Sequence, residues 1–434
     1  MAVYIAGVAS EATIDVPTVP RHYAWIVFAL TFGLLLSDYM SRQVLNAVFP
    51  VLKAEWMLSD TRLGSLSSIV ALLVGLLTFP FSIVADRWGR VRSIVLMAGL
   101  WSLATLGCAL SASYGQMLAA RFFVGVGEAA YGSVGIALIL SIFPPSLRST
   151  LSSAFMAGGP VGSVVGMALG GVVAQRFGWR WSFGVMAILG FALVITYALV
   201  VRESRLRPTM NKVAANTAAG ARPGLSSLFS DLFSSVSVRA AYIGSGLQLF
   251  IMASVLAWLP SFLNRYYNLP TDKAGIGAAA FILIGAAGMV LCGIITDRVS
   301  RRQAERKWNV AMGYSIGSAL LFLVALQLAP GKAQLVLIAC AMLMVAGTTG
   351  PAGAMVANLT HPTIHATAFA TLTLANNLLG LAPGPFVTGV LADHIGLMNA
   401  LHLVPLVSFA AAAAFAIGKR HYTRDLERLT ARQG

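Results

Sequence analysis

Charge is what this chain has least of. Only 10% of its 434 residues are Asp, Glu, Lys or Arg, and 58% are hydrophobic; soluble globular chains carry about 25% charged residues. A mean hydropathy of +0.80 excludes a water-soluble globule and places the chain in a bilayer. Cysteine is nearly absent too. Cys108, Cys292 and Cys340 all fall within apolar runs, which excludes a disulfide framework and leaves them as small buried hydrophobes. No phosphate-binding loop, nucleotide fold or nucleophile–base constellation is present, so neither ATP drive nor catalysis is expected. His361 and His365 share a helical spacing but have no third ligand nearby. They read as a surface pair, and no metal or cofactor is expected. Acids number 15 against 30 Lys and Arg, a net charge of +15. Such an excess would suit nucleic acid, but its distribution points elsewhere.

Apolar runs of about 20 residues cross a bilayer as helices. Twelve are visible, near 24–51, 62–84, 93–113, 115–143, 149–175, 181–201, 238–264, 273–296, 308–329, 333–357, 364–392 and 397–418. The first follows a segment at 1–22 and has no small-residue cleavage site, so it reads as a retained helix and not a signal peptide. Assigning the loops alternately to two sides puts 21 Lys and Arg on the side of both termini and seven on the other; Arg42 and Arg121 lie within helices. The positive-inside rule makes the first side cytoplasmic. The excess is then a contact for anionic membrane lipid, not for nucleic acid. The expected location is the cell's inner (plasma) membrane, with both termini cytoplasmic.

The longest polar stretch, 202–237, divides the runs six and six. It separates an N-terminal bundle at 23–201 from a C-terminal bundle at 238–418, which a tail at 419–434 follows. Leu225, Leu228, Phe229, Leu232 and Phe233 recur at helical spacing within the linker, predicting an amphipathic helix on the membrane face. The halves echo one another. "SIVADRWGRVR" (82–92) follows the second run and "GIITDRVSRR" (293–302) follows the eighth, with Asp86 and Asp297 211 residues apart. Recurrence at equivalent loops is far more informative than one copy. Each aspartate can meet a neighbouring helix N-terminus and nearby arginines, joining the halves on this face and releasing them in turn. Arg87, Gly89 and Arg90, with Gly293, Arg298 and Arg301, complete the two candidate gates. The repeated G-x-x-x-D-R-x-G-R-R pattern resembles the signature of the major facilitator superfamily. Ser82 replaces its first glycine and Val91 an arginine. The resemblance implies an all-α membrane protein of twelve transmembrane helices in two pseudo-symmetric six-helix bundles. It also implies a central cavity lined by spans one, four, seven and ten, and rocking alternating access.

Only Asp38 and Glu128 among the acids, and Arg42 and Arg121 among the bases, lie deep within spans. Each such charge costs roughly 2.5–3.5 kcal/mol at the centre of a membrane helix, so the four should face a wet cavity or one another. Asp38 and Arg42 are four apart, and Arg121 and Glu128 seven apart, so each pair shares one helix face. Counting inward at about 1.5 Å per residue puts the acids at one depth and the arginines nearer the outside, a two-layer site. A carboxylate set among a second carboxylate, an apolar wall and arginines is a candidate proton carrier. Glu128 and Asp38 are therefore read as the proton-coupling pair. Arg42 and Arg121 are read as the substrate-binding cations, with Tyr39, Asn46 and Tyr131 beside them.

"YMSRQVLNAVFPVLKAEWMLSDTRLGSL" and "RFFVGVGEAAY" resemble the bacterial Spinster branch of that superfamily. The resemblance implies proton-coupled movement of lysolipid-like amphiphiles. Arg42 matches the branch's first-span arginine, but Ser41 stands in the aspartate's place and Asp38 lies one turn earlier; Arg121 and Glu128 match the fourth-span motif. Organic-anion symporters for sugar acids share the "GVGEA" element. Gly158, Gly162, Gly166 and Gly170 recur every four residues, predicting close packing of the fifth span, expected against the eighth; Pro160 can kink it. The second half offers Gln248 and Trp258 as substrate contacts, with Tyr242, Met342, Met344 and Met355 as an adaptable apolar lining or as the core filling any buried helix uses. Asn376 and Asn377 are polar groups without an assigned role. The expectation is a monomeric secondary transporter that couples an amphipathic or organic anion to protons. The alternatives are a sugar-acid symporter and a transporter-like sensor without flux.

Overall fold

Backbone N–H and C=O groups in lipid have no partner but each other, so each apolar run closes on itself as a helix. A computed structural model describes residues 19–144, 147–206, 233, 235–360 and 364–431. Among the described residues are twelve helices long and apolar enough to cross a membrane. Spans 1 to 6 are Arg21–Trp56, Asp60–Ala85, Arg90–Leu110, Tyr114–Ile142, Thr150–Phe177 and Trp179–Val200. Spans 7 to 12 are Val236–Tyr267, Thr271–Ser300, Arg306–Gln327, Lys332–Asn358, Thr367–Ile395 and Leu397–Leu429. Most of the expected linker helix lies outside the described residues, as do His361 and the side chains of Asp86 and His365. Serines start several spans: Ser59, Ser113 and Ser235 accept from the backbone N–H of Arg62, Gln116 and Val238. Cys108 and Cys292 are buried as expected, whereas Cys340 is exposed on span 10.

Two spans break without a proline at the break. Span 4 stops at Glu128 and restarts at Tyr131, and Thr78 donates its hydroxyl to the Ala129 carbonyl left by the gap. Span 10 stops at Ala346 and restarts at Thr349. These are equivalent places in the two halves, 218 residues apart, and other paired features mark the same repeat. Met57 and Asn268 end spans 1 and 7 with φ of 50° and 52°, and they lie 211 residues apart like Asp86 and Asp297. Gly178 and Gly396, 218 residues apart and at φ of 88° and 82°, turn the chain between spans 5 and 6 and between spans 11 and 12.

Span 5 corrects one expectation. Its glycine stripe packs on span 1, not span 8. Gly158 faces Phe32 and Leu35, Gly162 faces Leu36 and Tyr39, Gly166 the Met40 backbone, and Gly170 Val44. The next residue, Gly171, turns to span 8 and meets Thr271 and Gly275. The reason is phase: span 5 lies between two helices, and a one-residue step of about 100° selects the neighbour.

The two bundles touch on one side. We term the side of the chain ends the terminal side and the opposite one the far side. One apolar core runs through the far half of both bundles and includes Leu45, Phe49, Met167, Trp258, Phe262 and Ala274. On the terminal side the cores are separate, around Trp101, Tyr131 and Phe155 in one bundle and Trp308, Phe415 and Tyr422 in the other. The far seam is pseudo-symmetric. A side chain at Gly64 of span 2 would strike Pro385 of span 11, and one at Gly275 of span 8 would strike Met167 of span 5. Likewise Gly389 abuts the Asp60 carbonyl as Gly171 abuts that of Thr271. Phe49 and Trp258 close the centre, their rings 5.4 Å apart. Among the described residues the bundles are thus sealed together on the far side and have separate cores on the terminal side.

Candidate functional site

Between the bundles, under the far seal, lies a cavity of about 380 Å³. Its walls differ in kind. Span 1 contributes Tyr39, Arg42, Gln43 and Asn46, and span 4 contributes Arg121; spans 7 and 8 contribute Leu249, Met252, Ala253, Leu256, Ala257 and Ile282. In the 211-residue register Arg42 and Asn46 correspond to Ala253 and Ala257, so charged and amide groups in one half face methyl groups in the other.

Spans 1 and 4 bring three of the four buried charges into contact. Arg42 donates from Nε to Glu128 Oε2 at 2.5 Å, and the same nitrogen is 3.5 Å from Asp38 Oδ1. The Tyr39 ring lies 5.4 Å from the guanidinium, a cation–π contact, and Gly159 of span 5 leaves room for that ring. The Arg42 side chain keeps 20% exposure, against 5% for Asp38 and 0% for Glu128. Asp38 Oδ1 and Glu128 Oε1 are buried without a hydrogen-bond partner. A buried acceptor in that condition is costly, and a proton on either acid would supply the missing donor.

Arg121 behaves differently. It is 2% exposed and pairs with no acid; Nε donates to the Leu66 carbonyl at 3.2 Å and Nη1 to that of Ser41 at 3.4 Å. Among the described residues no carboxylate lies within 4 Å of it. A guanidinium carries five N–H donors, so donors remain for a guest anion in the cavity it lines. Asn46 donates to Gln43 Oε1 at 2.9 Å on the same wall. Gln43 and Gly159 had escaped sequence reasoning, Gln43 because an uncharged amide carries no signal of its own.

Three candidate contacts lie elsewhere. Tyr131 sits past the break in span 4, donates to the Thr31 carbonyl at 2.6 Å and packs on Trp101 in the bundle core. Gln248 turns away from the cavity and donates to Ser408 at 3.3 Å. Trp258 is in the far seal, its Nε1 donating to the Pro385 carbonyl at 3.0 Å. Met342 and Met355 are core, and Met344 packs against Gly317; Met252 and Met289 line the cavity in their place. Tyr242 donates to the Ala368 carbonyl, and Asn377 to that of Thr373.

The paired loop motifs stand on the open, terminal side. Gly89 takes φ of +99°, with the Glu203 carboxylate against it, and Arg90 reaches the Ala137 carbonyl of span 4 at 3.0 Å. Arg87, Asp297, Arg298 and Arg301 are exposed, and a side chain at Gly293 would meet open space. Asp297 has no ion pair among the described residues. The loop motif of the second half is thus exposed on the terminal side.

Two bundles around a cavity sealed at one end define a membrane transporter. The sequence profile of the Major Facilitator Superfamily matches residues 31–382, and the chain belongs to that family of transporters. It is 25% identical over 96% of its length to an MFS-type efflux pump of Mycolicibacterium smegmatis, covering 98% of that protein. A probable sphingolipid transporter of Arabidopsis thaliana, spinster homolog 2, is 27% identical over 85% of this chain and 77% of the relative. The hexuronate transporter of Bacillus subtilis is 22% identical over 89% and 92%. Among solved structures, a bacterial homolog of the human lysosomal transporter Spinster, inward-facing and unoccupied, matches with a TM-score of 0.83. That match has 19% identity and covers 94% of this chain and 99% of the other.

Proposed function

We propose that the chain couples protons to the movement of an amphipathic organic anion of lysolipid type. The observation that carries this reading is the shared use of Arg42 by Glu128 and Asp38 on the wall of a cavity whose other wall is apolar. With Glu128 ionised, Arg42 is occupied. A proton on Glu128 Oε1 or Oε2 removes that carboxylate's charge and frees the guanidinium for the substrate's anionic head, beside Arg121. Loss of the proton lets Glu128 reclaim Arg42 and displaces the head. Asp38, one turn from Ser41, supplies the acid that the related branch carries at the position before the arginine. The apolar wall of spans 7 and 8 receives the tail. The basic terminal side is cytoplasmic by the positive-inside rule, so the cavity opens inward here.

A sugar-acid reading has support in the hexuronate transporter relative and in the arginine pair, which suits any carboxylate; the apolar wall favours a longer tail. The deciding experiment is flux in proteoliposomes under an imposed pH gradient, with lysolipids and sugar acids as alternative cargo. Wild-type flux is expected to follow the gradient, and Glu128→Gln to lose that dependence while still binding cargo. Unchanged pH dependence in the variant would remove Glu128 from coupling.

A further inference from the structure

A second charged cluster lies on the far side, outside the cavity, and the coupling scheme above leaves it unused. Its hub is Asp60, 3% exposed at the start of span 2. Arg265 of span 7 grips both carboxylate oxygens, at 2.6 and 2.9 Å, and Lys53 of span 1 donates to Oδ1 at 2.6 Å. Asp393 of span 11 accepts from the backbone N–H groups of Asp60 and Thr61 at 2.7 and 2.9 Å. The cluster is no by-product of the internal repeat. The repeat, 211 residues for spans 1 and 2 and 218 for span 5, places Ala54, Thr271 and Gln175 at the positions equivalent to Arg265, Asp60 and Asp393. Both seams therefore close on glycine contacts, and the seam of spans 2 and 11 adds this charged cluster.

Asp60 and Lys53 belong to one bundle and Arg265 to the other. When the bundles part on this side, Lys53 stays with Asp60 and Arg265 loses its carboxylate. Its guanidinium stands 6.0 Å from the ring of Trp258, whose indole is bonded to the cavity-lining Pro385. The freed cation thus stands at the mouth of the same cavity, with a fork of donors matched to carboxylate or phosphate. We propose that Arg265 is a switchable anion-recognition residue: Asp60 occupies it as a built-in ligand while the far side is closed, and the incoming anionic cargo meets it when that side opens. The claim about cargo rests on the anion reading above; the claim about closure does not.

The test uses the full chain in proteoliposomes, with native cysteines replaced by alanine and a reporter cysteine at Ala253. A membrane-impermeant maleimide is added on the far side. Asp60→Asn and Arg265→Gln are both expected to raise labelling on the order of tenfold, because each breaks the same buried pair. Arg265→Gln alone is expected to lower the initial far-side uptake of an anionic lysolipid about tenfold at low salt, with the difference vanishing as salt rises. Unchanged labelling in both variants would overturn the closure claim, and equal loss of uptake in both would reduce Arg265 to a latch. Wild-type uptake of a zwitterionic lysolipid as fast as the anionic one would sink the anion reading while leaving the labelling result intact.

Discussion

Arg42 and Arg121 are one residue type in one cavity with opposite circumstances. Arg42 is shared by two acids and a tyrosine ring; Arg121 holds two backbone carbonyls and no acid. Arg121→Ala is therefore expected to weaken anion binding by roughly 10- to 100-fold, the loss of a charge-assisted hydrogen bond of about 1.5–3 kcal/mol, measurable by isothermal titration of detergent-solubilised protein. Tyr131→Phe is expected to leave that affinity alone and to lower stability by about 1 kcal/mol through its bond to Thr31, seen as a drop in melting temperature. An affinity change in Tyr131→Phe would return it to the cavity. The meeting of Asp38, Arg42 and Glu128 was legible beforehand, because helix rise alone sets depth. The partners of Arg121 were not, since carbonyls leave no mark in residue type. Tyr131 lies in the bundle core because the helix ends at Glu128 and restarts at Tyr131, which takes it off the face that Arg121 and Glu128 share.

At the scale of helices, glycine spacing announced a packing face but not its neighbour. Gly166 lies within a bundle, against the Met40 backbone, whereas Gly275 lies between bundles, against Met167. Valine at the two positions should therefore act differently. Gly166→Val overpacks a bundle and is expected to lower thermal stability, by about 1–3 kcal/mol. Gly275→Val is expected to leave the melting temperature nearly unchanged while holding the far side apart, seen as faster far-side labelling of the Ala253 reporter. Equal melting losses would mean that the seam and the bundle interior are one cooperative unit. The interruptions of spans 4 and 10 were invisible to hydropathy, because both sides of each break remain apolar and neither break contains proline.

For the whole molecule, the twelve spans and the internal repeat were readable because composition and recurrence are properties of the chain itself. Which end is closed was not, since it depends on contacts between residues hundreds of positions apart. The shared far-side core and the separate terminal-side cores lead to a direct expectation. Ala253→Cys in the otherwise cysteine-free chain should react with impermeant reagent from the terminal side and resist it from the far side. Reversal of that pattern would mean that the resting state is the opposite one.

The division of the cavity carries a consequence for how such a protein can diversify. Every ionisable group that lines it or pairs there belongs to the first half of the chain, and the facing surface is methyl and thioether. Exchanges among Leu249, Met252, Ala253 and Ile282 can remould the pocket's capacity without touching the residues that would trade protons. New cargo can therefore be acquired by drift in one repeat while the other preserves the engine.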